Sequence, residues 1–165
     1  MIRALAALSA AALLAACSSI SLPAGPPTLH LLPDPPQAAA QRPFSGAIAV
    51  SRVSLPEYAD VSGIAALDAD GSVERSVEHL WADPPARAVT IALARALADR
   101  TRAAALAEPW PLEFSPARRV DVIADRMIAD RAGSLRFSGE YRIAGRDGLL
   151  RVRRFDLTVD ADGEG

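Results

Sequence analysis

The 165-residue chain contains no lysine, so all 18 of its basic residues are arginines. That excludes a phosphate-binding loop ending in Gly-Lys and any lysine Schiff base. A single cysteine leaves no pair for an intramolecular disulfide. Histidine occurs only at His30 and His79, with no metal-ligand spacing around either, so neither a metal nor a catalytic role is expected of them. No Gly-x-Ser-x-Gly elbow is present, and no serine sits in a recognisable motif with a histidine. Aromatic residues make up 5% of a chain that is 50% hydrophobic. The core is therefore expected to consist of small and branched aliphatics around anchors such as Trp81, Trp110, Phe137 and Tyr141. A formal net charge of −2 provides no basic field for nucleic acid.

What is present begins at the amino terminus. Arg3 supplies positive charge, Ala4 to Leu14 form an almost unbroken apolar segment, and small residues precede Cys17. This is the pattern of a secretory signal peptide over residues 1–16, too short for a bilayer-spanning helix. Leu14-Ala15-Ala16-Cys17 also resembles the lipobox of bacterial lipoproteins, in which the cysteine is acylated and becomes the first residue after cleavage. Cys17 is the expected lipidation site. Two or three acyl chains hold a protein on a membrane stably at roughly 0.8 kcal/mol per buried methylene, where one chain would be marginal. By the sorting rule that accompanies this resemblance, Ser18 rather than aspartate after the cysteine implies the outer membrane, with the body in the periplasm.

Residues 17–46 read as a tether. Pro23, Pro26, Pro27, Pro33, Pro35, Pro36 and Pro43 are seven of the 13 prolines, which favours an extended, semi-rigid spacer. Within it, Thr28 to Pro33 is more apolar than a spacer requires and is expected to dock as an edge strand. Residues 47–160 form the body and 161–165 a tail. In the body, Ile48 and Val50 alternate in one phase and Val53 and Leu55 in the other, implying a strand with a bulge or bend near Arg52. Val61 to Leu67 and Val73 to Trp81 flank an Asp70-Gly71 hairpin signal.

Asp83-Pro84-Pro85 marks a helix start with Asp83 as N-cap, and the helix is expected to run from Pro84 to about Ala107, before Pro109. Ala86, Val89, Leu93, Ala96, Leu97 and Ala104 share one stripe of the helical wheel, while Ile91 falls among arginines as a candidate partner contact. After the helix, alternating runs around Val120, Phe137 and Phe155, with turns at Gly133 and at 145–148, predict an antiparallel meander. The expected fold is α/β, with a mixed, largely antiparallel sheet of about six strands covered by one long helix.

Charged clusters offer little chemistry. Asp68 with Asp70, and Asp160 with Asp162 and Gly163, lack the ligand number of a calcium cage and read as a turn and a tail. Arg118-Arg119 and Arg151, Arg153 and Arg154 read as solvated strand faces, with lipid headgroups or an acidic partner as the alternative. No cofactor or metal is expected, and no enzymatic activity.

Several segments in order resemble the auxiliary lipoprotein family of ABC-type intermembrane lipid transporters. They are the lipobox at Cys17, Leu31-Leu32-Pro33, the run from Ile48 through Leu55-Pro56-Glu57-Tyr58, Trp81-Ala82-Asp83-Pro84, Glu108-Pro109-Trp110-Pro111, and Val120-Asp121-Val122 leading to Gly133. The resemblance implies a non-enzymatic outer-membrane docking component working with an Mce-domain periplasmic protein and an inner-membrane permease, and it allows for a homo-oligomer. Members of that family continue past the last strand into a further helix that packs on the sheet, and this chain is expected to lack it, leaving one sheet face partly uncovered. The competing class is a structural or envelope-assembly lipoprotein without a transport role.

Overall fold

A computed structural model describes residues 25–32, 43–111, 113–148 and 150–160. The signal peptide, Cys17, most of the tether and the tail therefore lie outside the described residues. Eight strands and one helix follow in the order β1 (Thr28–His30), β2 (Ile48–Val50), β3 (Gly63–Leu67), β4 (Val73–Trp81), α1 (Pro85–Thr101), β5 (Ala105–Ala107), β6 (Arg118–Ala129), β7 (Ser134–Gly145) and β8 (Leu150–Asp160). All eight strands join one mixed sheet with α1 packed against it.

The sheet is organised around β2 and β6. Ile48, Ala49 and Val50 are all buried, as suits a short apolar strand with parallel neighbours on both edges, β5 and β6. β6 pairs antiparallel with β7, and β7 with β8, giving the expected meander of long strands. β3 and β4 form the expected hairpin around Gly71, whose φ of +86° suits glycine; Gly71 N–H donates to the Asp68 carbonyl at 3.0 Å. Their register jumps between Gly63 and Ala65, and Val77 falls on the irregular part of β4, where it is 69% exposed. Thr28–His30 of the tether pairs in parallel with His79–Trp81, so the apolar tether segment is an edge strand.

The bend expected near Arg52 is present. After Val50 the chain leaves the regular ladder, and Ser54 forms an isolated parallel bridge to Ile123. The Val53 N–H, buried at the bend, donates instead to Thr90 Oγ1 at 2.9 Å, and Thr90 Oγ1 donates to the Ala86 carbonyl at 2.6 Å. Thr90 is the one buried polar side chain among the described residues. Thr90→Val, nearly isosteric, is expected to cost about 2 kcal/mol by leaving a buried amide without an acceptor. Chemical denaturation of the two proteins checks this, and equal stability would show that Val53 N–H is satisfied elsewhere.

Three features differ from the sequence reading. The helix ends at Thr101 rather than near Ala107, because Arg102 takes a left-handed conformation (φ 56°) and its N–H closes on the Ala98 carbonyl at 2.8 Å. That reversal frees Ala105–Ala107 to become β5 on the outer edge of β2, and with β1 it raises the strand number to eight. Asp83 does not cap α1; it pairs with Arg87 one turn on at 2.5 Å, while Asp60 Oδ1 comes within 3.4 Å of the Ala86 N–H from a preceding turn. The aromatic anchors are half-buried and lie around the core rather than in it. The centre is Ile48, Val50, Val53, Ala94, Ala103, Val120 and Val122. No helix follows β8 among the described residues.

Candidate docking surfaces

Three surfaces remain once the core is accounted for. The first is a trough beside α1. Helix α1 covers the sheet on one side only, and the face beyond it is walled by Val89, Leu93 and Leu97 and floored by Val120, Val122, Phe137, Tyr141, Ile143, Phe155 and Leu157. The space is about 530 Å³, and Arg100 at its margin is the one charged residue lining it. Phe137 and Phe155 lie with ring centroids 5.0 Å apart at an interplanar angle of 51°. Among the described residues no further element covers this face.

The second surface is a cleft of about 380 Å³ where the tether strand meets the body, lined by His30, Leu31, Leu32, Trp81, Ile91, Arg87 and Arg95 among others. Here the structure brings together the two histidines, 49 residues apart in sequence. His30 Nε2 and His79 Nδ1 lie 3.1 Å apart because β1 and β4 place their residues as neighbours in a parallel pair. Ile91 is half-buried in the wall of this cleft rather than standing alone among arginines. Trp81 is also half-buried. A fully buried tryptophan would cost about 3–5 kcal/mol on truncation, so Trp81→Ala is expected to cost about 2 kcal/mol. A thermal scan checks this, and an unchanged midpoint would place Trp81 on the surface.

The third surface is the outer edge of β8, on which Leu150, Val152, Leu157 and Val159 are exposed beside Arg151, Arg153 and Arg154. Of the other basic pair, Arg118 bonds Asp147 at 3.2 Å and lies 5.6 Å from the Phe44 ring, and Arg119 lies 5.3 Å from the Trp110 ring. They are therefore engaged within the fold.

The acidic candidates are likewise committed. Asp68 pairs with Arg131 at 2.6 Å, and Asp160 accepts a hydrogen bond from the Ser134 hydroxyl at 2.7 Å; Asp162 and Gly163 lie outside the described residues. Among the described residues no group of three or more His, Cys, Asp or Glu could hold a metal ion. Asp70 accepts from the Ser72 hydroxyl at 2.6 Å and from the Ser72 N–H at 2.9 Å, and these two bonds hold its carboxyl below the usual aspartate range. A depressed folded-state pKa contributes stability above the unfolded value and loses it as the pH falls through the folded value. Asp70→Asn is therefore expected to be slightly destabilised at neutral pH and to converge on the parent in acid. Denaturation midpoints measured across pH check the sign; a difference that grows in acid would contradict it.

These surfaces and the docked tether belong to one helix-on-sheet body. The chain belongs to the family described as the ABC-type transport auxiliary lipoprotein component, whose model matches residues 30–165. Two crystal structures share the fold. One, of an uncharacterized protein, is 20% identical with a TM-score of 0.67, over 86% of this chain and 84% of the other. The second, of protein XCC0632 from Xanthomonas campestris in the family DUF330, is 18% identical with a TM-score of 0.55, over 81% and 75% of the two chains. At these identities the likeness is one of fold alone. No curated protein matches the chain. Membership of a lipoprotein family points to the cell envelope, and no helix among the described residues is long and apolar enough to cross a membrane.

Proposed function

We propose that this protein is the outer-membrane docking component of an ABC-type system that moves lipids across the periplasm. Its partners would be an Mce-domain periplasmic protein and an inner-membrane permease. The observation that carries the reading is the family match across residues 30–165, which takes in the body and the tether from His30, the last residue of β1, onward. In this reading the acylated Cys17 fixes one end of the chain, the Pro-rich stretch sets the reach, and the body meets the partner. The role is binding rather than catalysis. The trough is apolar with one arginine at its margin, which suits contact with another apolar surface better than a reaction requiring placed acids and bases.

Crosslinking of the anchored protein in intact cells, followed by mass spectrometry of the adducts, tests the proposal. Adducts with an Mce-domain protein or a transport permease are expected. Adducts confined to other envelope proteins would overturn the transport role and leave a structural lipoprotein.

A further inference from the structure

β8 is an edge. Over all 11 residues it pairs on one side with β7, from Ala144 opposite Leu150 to Ser134 opposite Asp160, and no described strand lies on its other side. Long edges invite pairing, and proteins usually blunt them by shortening the strand, placing proline or bulging it. β8 is long, contains no proline and meets β7 without a register shift. Charges are a further defence, and β8 carries five. Their order, however, is self-complementary.

When two copies of Leu150–Asp160 lie antiparallel about a two-fold axis through Phe155, all 11 residues are paired. Arg154 then faces Asp156 of the other copy, and by symmetry the same ion pair forms twice. Val152 faces Thr158, and Arg153 and Arg151 face Leu157 and Val159, which can lie under the arginine stems. Moving the centre by one residue sets Arg154 against Arg154 or Asp156 against Asp156, so the charges select the register as well as permit it.

The surroundings fit the same arrangement. Asp156 is held by Arg136 of β7 through two bonds of 2.6 and 3.0 Å, which keep its carboxylate anionic, while Arg154 has no ion-pair partner among the described residues. Pairing would complete a row running Arg136, Asp156 and then Arg154 of the second copy. On the opposite face, the two Phe155 rings would meet at the axis and join the two apolar troughs across it. Leu157 and Val159, 53% and 54% exposed in the single chain, would be partly covered.

We propose that β8 is a homodimerisation strand, pairing antiparallel with β8 of a second copy about Phe155 to make one continuous sheet. This rests on the edge and its charge order and is independent of the transport reading.

Cysteine crosslinking of the full chain in cells, with a thiol oxidant and non-reducing gels, tests both the partner and the register; the parent, whose only cysteine is Cys17, sets the baseline. Phe155→Cys is expected to give a covalent dimer, since the two positions face each other on the axis. Val152→Cys and Thr158→Cys, each alone, are expected to stay at baseline. The double variant Val152→Cys/Thr158→Cys is expected to dimerise, and because both positions lie on the outer face it reports the register even where the change at Phe155 disturbs packing. Adding Arg154→Glu to the double variant should remove the dimer by placing like charges opposite each other. Baseline signal from both Phe155→Cys and the double variant would overturn the proposal. So would dimers from the single outer-face variants as abundant as those from the double, or adducts with the mass of a different protein, which would assign the edge to a foreign strand.

Discussion

Replacing Gly139 with alanine is expected to destabilise the protein by about 3 kcal/mol, near the upper end for an overpacked site. Gly139 sits in β7 opposite Ala124, where the β6–β7 register shifts between Ala124 and Arg126. A β-carbon built there runs into the Ile123 carbonyl oxygen and lies 2.7 Å from the Ala124 Cα. Both obstacles are backbone, in the middle of one of the two long antiparallel pairings of the sheet, so relief requires the bulge itself to shift rather than a side chain to turn. The bulge also carries the change of face that lets Val122 and Met127 both be buried. A fall in melting temperature of roughly 10 °C is expected for a domain of this size. A midpoint within a degree of the parent would show that the two strands do not approach this closely.

The second large effect is expected at Cys17. Cys17→Ala removes the thiol that lipidation requires, so the protein should appear in the soluble fraction or as an uncleaved precursor, with the folded body as stable as the parent. The acyl chains would supply the membrane affinity, each buried methylene adding about 0.8 kcal/mol, and no helix among the described residues could replace them. Fractionation with the terminus identified by mass spectrometry checks this. A cleaved, unlipidated chain that stays with the membrane would defeat the anchor assignment and shift attention to the apolar trough as the membrane contact.

Much of the fold was legible in the sequence where a pattern is local. The alternation through Phe137 and Phe155, the Asp70-Gly71 turn, Pro84-Pro85 at the start of α1 and the two-phase run around Arg52 all carry their geometry within a few residues. The candidate surfaces were less legible. The trough draws its lining from α1, β6, β7 and β8, so no local pattern marks it, and the meeting of His30 with His79 is not visible at all, because it follows from β1 pairing in parallel with a strand some 49 residues away. Thr90 borders the apolar stripe of the helical wheel, one turn after Ala86, yet as a polar residue it carries no sequence signal for burial. It is buried because the bend after Val50 turns a backbone N–H toward the helix, a demand that only packing creates.

The sequence by itself determined that the chain carries a lipobox-like segment and a proline-rich spacer, that the body is α/β, and that it resembles one family of envelope lipoproteins. These rest on residue identity and on periodicities of two and 3.6, which the chain expresses without reference to distant partners. Only the tertiary structure decided where α1 stops and which carboxylate approaches its first amides, and only there does the order of charges on β8 become an edge facing outward. By propensity Ala103 to Ala107 favours a helix. The free edge of β2, whose amides and carbonyls needed partners, drew it into the sheet.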